Sequence, residues 1–417
     1  MSTPNRWHSV RYNLIIVVVL TLWAEMGYAQ YFRFNYHRKR ASTPFNLIKN
    51  LVIIPVFING NGPFNFVLDT GVGILLITDP SLRNHVANHE PRTVTINGIG
   101  EGSEMSALIY PSATIELGSN ISGKMSVAIL KEDPFNLSAF LGIPIHGLIG
   151  YELFSSFIVG INYTAKNITY YAQEAPFHPR KGTRVPITIE ERKPYTEAVV
   201  TLAGGKQEKV KLIIDSGAGH PISLETNSGQ PYNIPDKNIQ ANLGVGLSGI
   251  INGFISRIPA FQLGKFKLQN VICAFPDYSN VAAKLANLSR NGNLGNNILK
   301  RFNIVIDYHR EVMYLRPNYM YKEPFEHDMS GMEIIAEGEN LEAILIARVE
   351  TGSAADQVGL KKGDRILAVN FKKTSELGID EITSLFRSRD ERSVVLEVQQ
   401  KQSEETKFFV LTLKRRI

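Results

Sequence analysis

The sequence predicts a mostly β protein: two homologous lobes made by an internal duplication, then a smaller β-rich α+β module. Three observations carry that prediction. Short alternating or β-branched runs such as "LVIIPVFI", "SATIEL", "FIVGINY" and "NIVIDY" dominate residues 51 to 317, separated by Gly, Pro and Asn turns. The chain also matches itself at a displacement of 146 (215 minus 69): Asp69 falls on Asp215, Gly71 on Gly217, Gly98 on Gly244, Gly100 on Gly246 and Leu117 on Leu263. With one residue removed, Gly150 falls on Gly295, Phe157 on Phe302 and Tyr163 on Tyr308. Finally, the text changes character after about residue 325, where one helical stretch sits among several β runs. A repeat this long exceeds a solenoid unit, so the copies read as domain-sized lobes about a pseudo-twofold axis.

In chain order, the first 29 residues carry Arg6 and Arg11 ahead of the apolar run "LIIVVVLTLWA", then Gly27 and Ala29. That is the layout of a secretory signal peptide cut after Ala29, so the mature protein is expected to be exported, with no stable membrane span after processing. An uncleaved anchor is the rival reading, but the apolar run is short against the roughly 20 residues a bilayer needs. Residues 30–43 contain the basic run His37, Arg38, Lys39, Arg40 and read as a linker or removable pro-segment. Lobe 1 is expected over 44–177 and lobe 2 over 178–318, with linker-like text at "PFHPRKGTRVP" and "RPNYMYKEPFEHD" closing each copy. The last module spans 325–417.

At 417 residues, the chain exceeds what one hydrophobic core organises, and 44% hydrophobic with 20% charged content excludes a largely disordered chain. A net charge of +6, partly in the residue 37–40 run, does not point to nucleic acid. Its single cysteine, Cys273, excludes an intramolecular disulfide and reads as a buried strand residue. His146 and His220 have no second ligand at i+4, so no metal site and no cofactor are expected.

Both copies place an acid directly after an apolar strand, in "FNFVLDTG" and "VKLIIDSG". Aspartate is depleted in strands, and the following Thr70–Gly71 or Ser216–Gly217 allows a tight turn. One such turn is weak evidence; two at equivalent points of a duplication are not, because a dyad between the lobes brings them together. Two carboxyls a few ångströms apart share one proton. The ionised partner can then take a proton from water while the protonated one hydrogen-bonds the carbonyl under attack. Asp69 and Asp215 are therefore the candidate catalytic pair, held by Thr70, Gly71, Ser216 and Gly217. The competing reading is a noncatalytic peptide-binding adaptor built from the same parts.

On these residues the chain resembles an aspartic protease, with both lobes in one chain. Its "HGLIG" (146 to 150) and "GNLGN" (292 to 296) stand where that family has an apolar pair and glycine supporting each active-site loop. Within the family the pattern is more similar to retropepsins than to pepsin. "NGIGEG" resembles a glycine-rich flap, giving Gly98, Ile99 and Gly100 as substrate-binding residues, with Gly244, Val245 and Gly246 as their counterparts in copy two. The resemblance implies an endopeptidase with a protein or peptide substrate, monomeric because both lobes lie in one chain. Two departures matter. Tyr151 and Asn296 follow the supporting glycines in place of an arginine, so that subfamily's interface ion pairs are not expected. Val72 and Ala218 cannot donate to the outer carboxylate oxygens as Ser or Thr would, which predicts an activity optimum nearer neutral pH than pepsin's.

The last module, through "GSAADQVGLKKGDRILAVN", resembles a PDZ domain. Such domains take a peptide as an added strand and hold its carboxylate on backbone N–H groups. By position that loop is Gly331, Met332, Glu333 and Ile334, where Glu333 is expected to oppose a carboxylate. The module is read as recruiting or orienting peptide, or as a wall packed on the protease.

Overall fold

The computed structural model describes residues 31–86, 90–96, 105–174, 182–246, 249–277, 290–403 and 405–417. Lobe 1 is built on a nine-stranded sheet whose centre is the hairpin Leu51–Ile58 and Asn61–Leu68. Lobe 2 repeats it with Lys193–Thr201 and Gln207–Asp215 in an eight-stranded sheet. Each sheet has the same internal crossing: Gly147–Ile149 lies parallel to Asn61–Leu68, and Gly292–Gly295 lies parallel to Gln207–Asp215. Leu51–Ile58 is apolar throughout because both its faces are covered, with six of its eight residues buried, whereas Asn61–Leu68 and Gln207–Asp215 start exposed and become apolar and buried only toward their C-terminal ends.

A third, six-stranded sheet joins the lobes. At its centre Ile158–Asn162 pairs antiparallel with Phe302–Asp307, with Gly160 opposite Val305. These two residues are equivalents in the duplication (305 minus 160 is 145, the displacement after the removed residue). Equivalent residues face each other only where a twofold axis crosses a sheet, so the pseudo-dyad passes here. One continuous core fills both lobes, with Phe154, Phe157, Tyr163, Tyr170, Phe302 and Tyr308 the largest side chains at the junction.

Residues 31–43 differ from the linker expectation. Phe32–Phe34 adds a strand to the lobe 1 sheet, and Arg40–Pro44 pairs with Asn167–Tyr171 at the edge of the joining sheet. The alternation in RASTP, with Ala41 and Thr43 inward and Arg40 and Ser42 outward, suits a half-covered strand, and the basic residues stay in solvent. Residues 1–29, read as a signal peptide, lie outside the described residues; among those described, no helix is long and apolar enough to cross a membrane.

The C-terminal module has its own core and a six-stranded sheet ending at Met332–Glu337, with a helix at Ile379–Phe386. The segment leading into it is pinned by the buried Arg301, which donates to the carbonyls of Met320 (3.2 Å), Glu323 and Pro324 and stacks 3.6 Å from the Phe325 ring centre. Against lobe 1, the helix Leu137–Leu141 packs on the terminal strand Met332–Glu337. A Cβ on Gly142 would lie 2.9 Å from Cγ2 of Ile379, so the surfaces are in close contact.

Candidate functional site

The strands Asn61–Leu68 and Gln207–Asp215 end at the lobe junction and deliver Asp69 and Asp215 to one point. The two carboxyls converge there, both reaching within about 3.3 Å of the space beside Gly71. Each turn closes the same way: the N–H of Gly71 donates to Asp69 Oδ1 at 2.7 Å, and that of Gly217 to Asp215 Oδ1 at 3.1 Å. Space is tight for any side chain at Gly71, and crowding requires glycine at Gly217. A Cβ on Gly71 would lie 3.1 Å from Asp69 Oδ1 and 3.3 Å from Asp215 Oδ1, and one on Gly217 would fall 2.3 Å from Cγ of Asp69.

Thr70 and Ser216 lock the turns across the dyad. The Thr70 N–H donates to Ser216 Oγ and the Ser216 N–H to Thr70 Oγ1, both at 3.0 Å. Each hydroxyl then donates to the opposite strand, Thr70 to the carbonyl of Ile214 (2.6 Å) and Ser216 to that of Leu68 (2.7 Å). Behind them, Asp69 N–H donates to the Ile149 carbonyl (2.9 Å), while Gly150 and Gly295 approach the loops so closely that a Cβ would sit 1.9 Å from the Asp69 carbonyl and 2.0 Å from that of His220. The supporting motifs thus set the height of each turn.

No arginine follows these glycines, and the structure fills the gap with neutral contacts. Asn296, fully buried, accepts from the Tyr163 hydroxyl (2.6 Å) and donates to the carbonyl of Asn50. Asn50 in turn donates to the Gly219 carbonyl at 2.8 Å. Tyr151 packs against Tyr31 and Tyr308.

One functional residue escaped the sequence reading. Asn293 Nδ2 donates to Asp215 Oδ2 at 2.9 Å, replacing the donor that Ala218 cannot supply. Its equivalent in lobe 1 is Leu148, opposite Val67 as Asn293 is opposite Ile213, and leucine donates nothing. The signal was a polar residue in a motif otherwise read as an apolar pair. The consequence is asymmetry. Asp215 accepts one side-chain hydrogen bond that has no counterpart at Asp69. Burial first, and the Asp215 charge second, raise Asp69 well above the ordinary carboxyl range, with the Gly71 N–H opposing. Asn293→Leu is expected to move the acid limb of the pH–rate profile upward by about 1–2 pH units, the equivalent of losing one hydrogen bond to a charged group; an unmoved limb counts against this assignment.

Asp69 and Asp215 line a cleft of about 1310 Å³ that is also lined by Gly244, Val245 and Gly246 of copy two. Gly98, Ile99 and Gly100 lie outside the described residues. His220 also lines the cleft; burial lowers its pKa, with the Asp215 charge opposing. His146 accepts from the Asn65 N–H at 3.1 Å and stacks on Phe64, a structural role. Among the described residues no cluster of His, Cys, Asp or Glu is arranged to hold a metal. Cys273 is fully buried.

Met332, Glu333 and Ile334 of the module reach the same cleft. Gly331 turns at φ +73°, but its N–H and that of Ser330 both donate to Asp328 Oδ1 at 2.9 Å, as does the Ser330 hydroxyl at 2.5 Å. Glu333 pairs with Arg348 at 3.4 Å. Of the loop 331–334, the Gly331 N–H is thus taken by the chain's own Asp328, and the Met332 N–H donates to Ser330 Oγ at 3.0 Å.

Comparison with known proteins agrees with this anatomy. Residues 54–153 match the aspartyl protease family model, and residues 345–400 match the PDZ domain model, in that order along the chain. No curated protein matches the chain. Among solved structures, an aspartic proteinase from Irpex lacteus is similar at 12% identity and a TM-score of 0.39, covering 68% of this chain and 99% of that one. A photosystem II D1 C-terminal processing protease is similar at 19% identity and a TM-score of 0.20, covering 21% of this chain and 23% of that one. The chain thus spans under a quarter of the latter's length, and neither likeness carries argument at these scores. The chain contains an aspartyl protease domain followed by a PDZ domain.

Proposed function

We propose that this protein is an aspartic endopeptidase in which Asp69 and Asp215 activate one water against a peptide bond. The reading is supported above all by one observation: two carboxyls from duplicated turns meet at the floor of a cleft large enough for an extended peptide. Asp215, ionised and held by Gly217 and Asn293, takes a proton from the water. Asp69, protonated, hydrogen-bonds the scissile carbonyl and draws off its developing charge. Water adds to the carbonyl carbon as Asp69 passes its proton to the carbonyl oxygen, giving a neutral tetrahedral diol. A proton then passes from Asp215 to the amide nitrogen as the C–N bond breaks, and a diol proton returns to Asp69. No covalent enzyme intermediate forms.

The module's part is that of a wall. Its terminal strand, where a peptide would add, packs with the lobe 1 helix Leu137–Leu141, and the Gly331 N–H of its carboxylate loop is taken by Asp328. It therefore shapes the protease cleft more than it recruits free C termini. The basic-then-apolar start of the chain supports export of the mature enzyme, and both lobes in one chain support a monomer. Incubation with a denatured peptide library should give internal cleavages that a statine-type transition-state mimic abolishes. An intact library, or cleavage indifferent to the inhibitor, sinks the proposal.

A further inference from the structure

The cleft continues past the dyad to the seam between lobe 1 and the module, where Lys49 and Arg387 both line it. Lys49 stands in the turn between strands Asn46–Ile48 and Leu51–Ile58, at φ +45°. Arg387 follows the module helix Ile379–Phe386. Lys49 is only 8% exposed, and its backbone N–H is held by Asp380 Oδ1 at 2.7 Å. Its ammonium rests 4.0 Å from the centre of the Phe140 ring and forms no ion pair among the described residues. Burial first, then the Arg387 charge, pull Lys49 down to about 8. Arg387 Nε is buried without an acceptor.

The charges of Glu333, Asp380 and Asp328 partly offset Lys49, but each of these acids, and Glu350, is also bonded elsewhere. Asp328 is taken by Ser330 and Gly331, Glu333 by Arg348, Glu350 by Arg348 and Arg416, and Asp380 by the Lys49 N–H. Two cations thus line one stretch of cleft, Lys49 buried and Arg387 half-buried, and neither forms an ion pair among the described residues. Desolvated charges cost stability until a counter-charge arrives, and such groups in a cleft mark binding sites. An ammonium beside a planar guanidinium suits a carboxylate, which can accept from both.

We propose that Lys49 and Arg387 form an anionic subsite of the cleft, taking a carboxylate of the bound polypeptide, from an acidic side chain or its C terminus. This rests on the cleft being a peptide site. The test compares three peptides of one core sequence: neutral and amidated, acidic and amidated, and neutral with a free C terminus. Binding to Asp69→Asn protein is read by fluorescence anisotropy, and cleavage is followed with the parent. One carboxylate-bearing peptide should bind about 10- to 100-fold tighter than the neutral one, the value of a hydrogen bond to a charged group. Which arm gains identifies the source. In Lys49→Met and Arg387→Met that ratio should collapse to near one, and in the parent it should shrink as salt is raised, a readout that needs no variant. A ratio near one in the parent, or one that survives both substitutions, overturns the subsite. Charge-selective binding without cleavage would sink the hydrolase reading alone; cleavage without charge preference would sink the subsite alone.

Discussion

Asp69→Asn is expected to abolish peptide hydrolysis while leaving peptide binding intact and making the protein more stable at neutral pH. The amide keeps the shape of the carboxyl and can still donate a hydrogen bond to Asp215 or to a substrate carbonyl. It cannot give up and recover a proton. Losing a general acid costs about 10²- to 10⁴-fold in rate, and loss of the shared proton places this variant at the upper end. The stability change follows from linkage. In the folded protein, burial and the Asp215 charge raise the Asp69 pKa above its ordinary value. Between the unfolded and folded values the native state binds more protons than the unfolded one, so stability falls as pH rises through that window. At neutral pH the acid is therefore a burden on the fold, and a neutral amide removes it. Thermal unfolding at pH 4 and pH 7 checks this: the parent should lose more stability between them than the variant. Undiminished cleavage would end the dyad mechanism, and a variant with the same pH dependence as the parent would show that Asp69 does not hold the proton.

The duplication and its dyad were legible because they repeat: Gly71 with Gly217 recur beside the aspartate carboxyls, and Gly150 with Gly295 recur where backbone passes close to backbone. The face-to-face position of Gly160 and Val305 followed from the same displacement. Asn293 was hidden for the opposite reason. It breaks the repeat, its equivalent being Leu148, and its meaning lies in a hydrogen bond to a residue 78 positions away. The strand Arg40–Pro44 was hidden because its partner, Asn167–Tyr171, lies over a hundred residues on and its own sequence is basic and polar. Asp328 belonged to what read as linker, three residues ahead of the glycine whose N–H it accepts. Each miss is a contact that sequence-local propensity does not encode. The seam between lobe 1 and the module is the extreme case, since nothing near Lys49 announces Arg387.

Thr70→Val is expected to destabilise the protein by about 2–5 kcal/mol, lowering Tm by about 4–10 °C, and to depress turnover as well. Valine matches threonine in shape, so packing is preserved and only the hydroxyl goes. That hydroxyl accepts from the Ser216 N–H and donates to the Ile214 carbonyl, at a position with 0% exposure. Both partners are left unpaired where water does not reach, each at about 1–3 kcal/mol. Ser216→Ala strands the mirror pair, the Thr70 N–H and the Leu68 carbonyl. The two changes should not add, because either one frees the turns from each other, so the double variant should lose less than the sum of the singles. Turnover falls because these bonds fix the spacing of the carboxyls, and a shared proton needs the oxygens in contact. Thr70→Ser, which keeps the hydroxyl, should stay near the parent in both respects. If Thr70→Val unfolds and turns over like the parent, the lobes are registered by something other than this exchange of hydrogen bonds. The candidate would then be the neutral bridge from Asn296 to Tyr163 and Asn50.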